Sequence, residues 1–443
     1  MQVETSYKNI LNMAYPVMIG SFATTLLNIT DTAFLGRVGE VELGASAVGG
    51  VLYFVFVMVG MAIGIGTQIL IARRSGEKND GAIGEIFDNS LIILFGLSLF
   101  LYIILEFLSP WMLRLILDSD AIIQASIRFL HYRAYGIFFV LLATVFRSFY
   151  VGIAQPRVFG IYSFLMAGIN MLLGYGLIFG NFGLPRLGIE GAGLASSISE
   201  LIALIYLFGY TYVKKGIQHY NLFRFLKVDW QLISRILNLS APLVVQNLLS
   251  MGAWFVFFVF IEKIGQHELA ISNIVRGAYM VAMTPIWGFS IAANSMVSNI
   301  IGQGKSDEVL SLVKRIIQLA VLVTGIMAII NVSIPKIILQ IFTADPQLIQ
   351  DSLGSFYVVI LAMLFFAFAI VCISAVSGTG ATKTALYIEI AAIFIYMVYN
   401  YLVTFIFHGT VELVWFSEII YWVFTGIASY IFLRSLRWKK ITL

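Results

Sequence analysis

Runs of about 20 apolar residues, each nearly free of charge, recur along the whole chain and constrain its fold more than any other feature. At about 1.5 Å per residue, such a run as a helix crosses about 30 Å of hydrocarbon. Lipid offers no hydrogen bonds to the backbone, so only helices or closed barrels can span it, and barrel strands would be shorter and alternating. An all-α integral membrane protein is therefore expected. Composition agrees: 60% of the residues are hydrophobic and 11% charged, whereas soluble domains carry roughly a quarter charged residues.

The apolar windows and their Gly, Pro and charge punctuation predict twelve transmembrane helices near 11–34, 45–72, 88–108, 129–152, 158–180, 190–213, 237–261, 270–300, 312–341, 353–377, 385–407 and 413–434. The chain also repeats itself. Ile10-Leu11-Asn12-Met13-Ala14-Tyr15-Pro16 matches Ile236-Leu237-Asn238-Leu239-Ser240-Ala241-Pro242, and at the same offset Gly39 meets Gly265, Glu42 meets Glu268, Ser46 meets Ser272 and Gly152 meets Gly378. Each unit holds six helices, so the copies enter the membrane in one direction and form parallel, pseudo-symmetric lobes. The predicted division is a lobe over 1–213, a linker over 214–235 and a second lobe over 236–443. The linker interleaves Lys214, Lys215, Arg224, Lys227 and Arg235 with Phe223, Phe225, Leu226, Trp230 and Leu232, which reads as an amphipathic segment on the cytoplasmic leaflet.

Orientation follows from the cations. Lys8, Arg73, Arg74, Lys78, Arg157, the linker cations, Lys305, Lys314, Arg315, Lys383 and the terminal Arg434 to Lys440 group share one side. Arg37, Arg114, Arg128, Arg133, Arg186, Lys263, Arg276 and Lys336 form a sparser set on the other. The positive-inside rule then puts both termini in the cytoplasm, in a plasma membrane of the bacterial inner-membrane kind. Glu4 and Lys8 lead straight into the first span without a cleavable-signal pattern, so helix 1 is expected to be retained. The single Cys372 lies in an apolar run and excludes an internal disulfide. The formal charge of +4 does not suggest nucleic acid as a partner.

Several motif fragments carry no chemistry. Gly304-Lys305-Ser306 copies the end of a P-loop, but Asn299 stands where its first glycine would be and no strand precedes it. His267-Glu268 starts a zinc-hydrolase pattern that Ile271 interrupts, and the other histidines are scattered. No catalytic group, metal or cofactor is indicated. Gly60, Gly64 and Gly66 on helix 2 read as close-packing positions.

The acids inside spans differ, because an ionisable group at membrane depth costs several kcal/mol unless it is neutralised or faces a cavity. Asp31 lies a turn and a half before Arg37, about 9 Å below the outer boundary. On helix 6 Ser196 sits at that depth and Glu200 deeper, while Asn170 on helix 5 is level with Glu200, so these groups can converge in one layer. Asp31, Asn28, Asn170, Ser196 and Glu200 are the candidate cation-coupling residues. A structural alternative is a protonated Asp31 that merely joins helices. The repeat partner of Asp31 is Phe257, which favours a task specific to the first half. Asp88, Glu106 and Glu262, near span ends, read as interfacial. Gln246 and Asn247 on helix 7, Glu389 on helix 11, Glu418 on helix 12 and Arg147 on helix 4 are the candidate substrate contacts, with Glu389 alternatively snorkelling toward Lys383.

With these residues in view, the chain resembles the multidrug and toxic compound extrusion (MATE) family over essentially its whole length. The resemblance is carried by Ala14-Tyr15-Pro16, the Asn28 to Gly39 stretch with Asp31-Thr32 and Gly36-Arg37, the Gly152 to Arg157 turn, Asn170 to Gly180, and Leu187-Gly188-Ile189-Glu190-Gly191-Ala192-Gly193. It implies two six-helix lobes forming a V, alternating access, and export of organic cations in exchange for protons or sodium. It also implies that the aspartate matching Asp31 belongs to a first-lobe ion site, with polar positions matching Asn170 and Ser196. Two departures stand out. Gly174 occupies a place where some members carry a helix 5 acid, and Ser250 and Ala367 align with acids that NorM-like members carry on helices 7 and 10. Proton coupling is therefore favoured, with Glu200 standing in for the missing carboxylate.

The sequence reading is thus a secondary active multidrug antiporter, not an enzyme. Its expected partners are amphipathic organic cations and the lipid bilayer, its expected state a monomer, and the proton (or sodium) its coupling ion. The 36 Phe, 21 Tyr, 7 Trp and 15 Met residues suit a permissive cavity, although packing and lipid contact account for most of them. The rival readings are a lipid-linked oligosaccharide flippase of the same superfamily, for which Arg147 is the main in-span cation, and an intramembrane enzyme, for which no paired catalytic signature exists.

Overall fold

The computed structural model describes residues 3–225, 228–441 and 443. Among the described residues eleven helices are long and apolar enough to cross a bilayer, and a bent pair supplies a twelfth span. In chain order the spans are α1 (Tyr7–Val38), α2 (Glu40–Gly76), α3 (Asp80–Ile116), α4 (Asp120–Ala134 and Gly136–Gly152), α5 (Arg157–Phe179), α6 (Ile189–Val213), α7 (Trp230–Ile264), α8 (Gln266–Gly302), α9 (Ser306–Ser333), α10 (Pro346–Gly378), α11 (Thr382–Ile406) and α12 (Val411–Arg434). The twelve-helix expectation holds.

The ends follow local chemistry. The Asn79 side chain accepts from Ala82 N at 3.3 Å and starts α3, and Asp345 accepts from Gln347 N at 2.8 Å with Pro346 in the first turn of α10. Most spans run several residues past their sequence windows, and three differ in course. The third runs on to Ile116 because a π-helical turn over Ile104–Leu108 carries it into Ser109–Ile116. The fourth starts at Asp120 and bends by 45° at Tyr135. The ninth stops at Ser333, and Pro335 opens a separate short helix, Pro335–Gln340.

The chain forms two compact units that are not contiguous in sequence. One comprises Ile19–Ser240, the other Met1–Met18 with Ala241–Leu443. Both division points fall beside repeat-related prolines inside helices, Pro16 in α1 and Pro242 in α7, where the i→i−4 backbone bond is missing.

Part of the linker is a docked strap and does not behave as a surface amphipath. Asp88 of α3 accepts Phe223 N at 2.8 Å on one oxygen and Arg224 N and Phe225 N, each at 2.9 Å, on the other. Phe223 and Phe225 have φ of 62° and 45°, a left-handed conformation that costs roughly 1–2 kcal/mol per residue. Converging three N–H groups on one carboxylate offsets that cost. Phe223 meets Phe87 edge-on at 5.4 Å and stacks on Phe208 at 5.5 Å, so its ring belongs to the core of this unit. Gly84 admits the strap closely, since a Cβ there would lie 2.1 Å from the Tyr220 carbonyl oxygen. The interfacial assignment of Asp88 is thus corrected: it is buried because the strap supplies its donors. Leu226 and Lys227 of the expected amphipath lie outside the described residues. Replacing Asp88 by alanine removes three charge-assisted hydrogen bonds and should lower stability by about 3 kcal/mol or more. The expected result is a lower melting temperature in detergent together with faster tryptic cleavage after Arg224.

Candidate functional site

The register of α1 against α5 sets the site in the Ile19–Ser240 unit. Ala23 and Leu27 of α1 pack with Ala167 and Met166 of α5. Further along the same two helices, Phe34 meets Tyr175 at 6.0 Å and Phe179 at 5.7 Å. A Cβ on Gly174 would lie 3.7 Å from the Phe34 ring. These two apolar layers bracket Asp31 on α1 and Asn170 on α5, and the ring of Phe34 occupies the space beside Gly174. Asn170 is 1% exposed and donates through Nδ2 to Ser196 Oγ of α6 at 3.0 Å. Its Oδ1 is a buried acceptor with no hydrogen-bond partner among the described residues, an unmet valence facing the same layer.

Glu200, one turn beyond Ser196 on α6, is 6% exposed and is not a free carboxylate. Arg133 of α4 grips it with two parallel hydrogen bonds, Nη1 to Oε2 at 2.8 Å and Nη2 to Oε1 at 2.7 Å. Its guanidinium carbon also lies 3.8 Å from the ring centroid of Tyr53 on α2. The pair fits because position 136 is glycine: a Cβ there would come within 2.3 Å of both Arg133 Nη1 and Glu200 Oε2. Ser197 Oγ donates to Tyr132 O at 2.7 Å and fixes α6 against α4 at the same level. Arg133 is therefore removed from the flanking cations. It lies inside the fourth span because Glu200 neutralises it, and the available signal was an acid in the middle of an apolar helix that requires a cation.

Asp31 is partly buried and interacts electrostatically with Arg133, whose hydrogen bonds are committed to Glu200. No hydrogen bond or ion pair to Asp31 is present among the described residues. Asn28 is exposed, and its carbonyl accepts from Thr32 Oγ1 at 2.8 Å. Arg147 of α4 lies 5.3 Å from the ring centroid of Phe159, which stacks on Tyr162 at 5.1 Å. Glu106 pairs with His131 at 2.7 Å, and Glu262 is exposed.

The other unit carries two further buried carboxyls, each 3% exposed. Glu389 of α11 meets Ser250 of α7 and Tyr421 of α12 through Oε1, and accepts from Gln246 Nε2 at 3.4 Å through Oε2. It does not snorkel toward Lys383. Glu418 of α12 accepts from Trp254 Nε1 at 3.2 Å and Tyr396 OH at 3.0 Å on Oε1, and from Tyr279 OH at 3.3 Å and Trp422 Nε1 at 3.0 Å on Oε2. Gln246 is thereby tied to Glu389, while Asn247 is partly exposed. The sequence reading missed these donors because Trp and Tyr in apolar helices look like packing residues.

Removing one member of a buried ion pair costs about 3–5 kcal/mol, whereas replacing both by apolar residues is often neutral. Arg133→Met alone should therefore lower stability by about that amount, and adding Glu200→Met should recover most of it in thermal unfolding of the purified protein.

The comparisons with known proteins agree with this architecture. The chain is 25% identical over 391 residues to a probable multidrug resistance protein NorM of Thermotoga maritima, covering 87% of this chain and 83% of the relative. It is 26% identical over 379 residues to the corresponding protein of Aromatoleum aromaticum, covering 83% and 80%. A solved outward-facing multidrug resistance MATE family transporter of the MOP superfamily superposes with a TM-score of 0.90 at 18% identity, covering 98% of this chain and 97% of that one. A Pyrococcus furiosus MOP superfamily transporter, described as having reversed polarity in its binding pocket, does so with the same score and coverage. The MatE family matches twice, over residues 16–176 and 242–402, and the second match is displaced by the offset that relates Ile10 to Ile236, so the chain belongs to the MatE family.

Proposed function

We propose that the protein is a secondary active multidrug efflux antiporter that exports amphipathic organic cations in exchange for protons, with Asp31 as the coupling carboxyl. The observation that carries this reading is the division of labour in the α1–α5–α6 layer. Glu200 is spent on Arg133, and Asn170 and Ser196 hold each other. Asp31 alone keeps a carboxyl uncommitted to any hydrogen-bond partner among the described residues, and the Oδ1 of Asn170 is likewise unpaired. A carboxyl in that position can bind a proton in one state and repel or attract a charged guest in the other. Protonation and cargo binding are then mutually exclusive, and each lowers the affinity for the other by the same factor. The names of the NorM relatives support drugs as cargo.

The work comes from the ion gradient: about 2.3 kcal/mol per charge for each ~100 mV and about 1.4 kcal/mol per pH unit. The lysine and arginine bias supports cytoplasmic termini, and protons then enter from the side opposite them. Of the five expected cargo contacts, Asn247 and Arg147 are not engaged with a carboxylate. Gln246 is bound to Glu389, and Glu418 is held by Trp254, Tyr279, Tyr396 and Trp422. Glu200 serves to hold Arg133 and is not proposed as a coupling carboxylate.

The test is transport of a fluorescent organic cation by proteoliposomes under an imposed pH gradient. Asp31→Asn should reduce gradient-driven efflux at least about tenfold, the rough scale of a coupling free energy, and should hold equilibrium binding of the dye at the weaker affinity of the protonated state with no dependence on pH. Full transport by this variant would remove Asp31 from the coupling role. Stimulation of the wild type by a sodium gradient alone would replace the proton by sodium.

A further inference from the structure

Five helices of the Ile19–Ser240 unit each bring one titratable group to a common cluster: Asp31 from α1, Tyr53 from α2, Arg133 from α4, Tyr162 from α5 and Glu200 from α6. Arg133 is the hub, since it interacts electrostatically with all four of the others. No other charged group among the described residues acts on Asp31, and Arg147 reaches the cluster only through Tyr162. The guanidinium is fixed from two sides. Its terminal nitrogens bind Glu200 at 2.8 and 2.7 Å, and its carbon lies over the Tyr53 ring at 3.8 Å.

Two carboxyls thus compete for one cation, and Glu200 holds it. The fork of an arginine grips a carboxylate best when both terminal nitrogens bind at once, and the absence of a side chain at Gly136 leaves room for that arrangement. Ser197, bound to the Tyr132 carbonyl at 2.7 Å, fixes α6 against α4 beside it. The outcome matters for Asp31. A carboxylate in contact with a guanidinium stays ionised across the ordinary pH range and has no need of a second cation. A carboxylate without such a contact at membrane depth is costly, so it takes up either a proton or a cationic guest. An antiporter depends on that cost, because a coupling carboxyl that was equally stable when empty would let the carrier return unloaded.

We infer that Glu200 is a positioning residue for the coupling step: acting through Arg133, it withholds from Asp31 the cation of this cluster and leaves that place to the proton or the cargo. With Glu200 present, Asp31 senses Arg133 at a distance and remains free to change its occupant. With the charge of Glu200 removed, Arg133 becomes a buried cation without a partner, and Asp31 is the carboxyl whose charge it already senses. The pair that then forms excludes proton and cargo alike. This assignment rests on the reading of Asp31 as the coupling carboxyl, and it gives the Arg133–Glu200 pair a task beyond joining α4 to α6.

The test is equilibrium binding of ethidium, an aromatic organic cation, to the purified protein as a function of pH. Binding by the wild type should strengthen as the proton leaves Asp31, with a midpoint that is absent in Asp31→Asn. Glu200→Gln keeps the shape of the side chain and removes its charge. Its midpoint should move at least about one pH unit toward acid, a tenfold change in proton concentration, and ethidium should bind at least about tenfold more weakly above it. Arg133→Met combined with Glu200→Met removes both charges and should show no acid shift, whereas a purely structural pair would leave the midpoint unmoved in Glu200→Gln as well. Gly136→Val keeps every charge but places a side chain where the pair now meets, and should move the midpoint in the same direction as Glu200→Gln. An unmoved midpoint in Glu200→Gln, or in Gly136→Val where Glu200→Gln does not fold, overturns the assignment, and so does an acid shift that survives in the double variant. Binding by the wild type that is independent of pH sinks the coupling role of Asp31 and this assignment with it. An unmoved midpoint beside pH-dependent wild-type binding sinks the assignment alone.

Discussion

Hydrocarbon leaves an ionised side chain no solvent but the protein itself, and the contact between Arg133 and Glu200 is where the Ile19–Ser240 unit meets that demand most fully. The pair joins α4 to α6, the ring of Tyr53 brings α2 to the guanidinium, and the missing side chain at Gly136 provides the space. With its two terminal nitrogens bound to Glu200 and no ion pair to Asp31 among the described residues, the guanidinium influences Asp31 through its field. A free arginine in this position would lock the aspartate into a permanent ion pair and silence it. In the proposed cycle the structural pair is thus the condition under which Asp31 can exchange its proton.

The two halves share a scaffold and solve the buried-charge problem in different ways. Phe257 stands at the repeat position of Asp31, and its ring meets Trp415 at 5.0 Å and stacks on Tyr396 at 5.8 Å. The second unit therefore fills with aromatic packing the place where the first carries an acid. Its own acids come from α11 and α12 and are stabilised by neutral donors instead of a cation. The Arg133–Glu200 pair cancels its own charge, whereas Glu389 and Glu418 meet only neutral side chains among their hydrogen-bond partners.

Much of this was legible in the sequence, and the remainder was not for identifiable reasons. Span length and charge punctuation located twelve helices, and the Ile10 and Ile236 segments revealed the duplication that the two family matches share. Depth along the helices placed Asn170 and Ser196 together, and they are hydrogen-bonded. Helical rise cannot say which face a residue occupies, so Arg133 read as a flanking cation and Glu200 as a free acid. The docking of Phe223 depends on three backbone N–H groups finding one carboxylate, and backbone donors have no signature in sequence. Trp254, Tyr279, Tyr396 and Trp422 resemble packing residues until their polar atoms are seen to converge.

The departures from the family pattern acquire a physical meaning in this light. Ser250, which the family resemblance matches to a helix 7 acid of NorM-like members, is touched by the carboxyl of Glu389 from α11, so a carboxyl reaches that place from a neighbouring helix. Ala367, aligned with the helix 10 acid, follows Phe366, whose ring lies against Trp422, a donor to Glu418. In both cases the residue at the aligned position has changed while a carboxyl remains within the same layer. A buried carboxyl needs donors around it, and any helix facing that layer can provide the carboxyl. Position-by-position comparison therefore misses carboxyls that reach the same place from another helix, and the side-chain donors around each buried acid are the better guide.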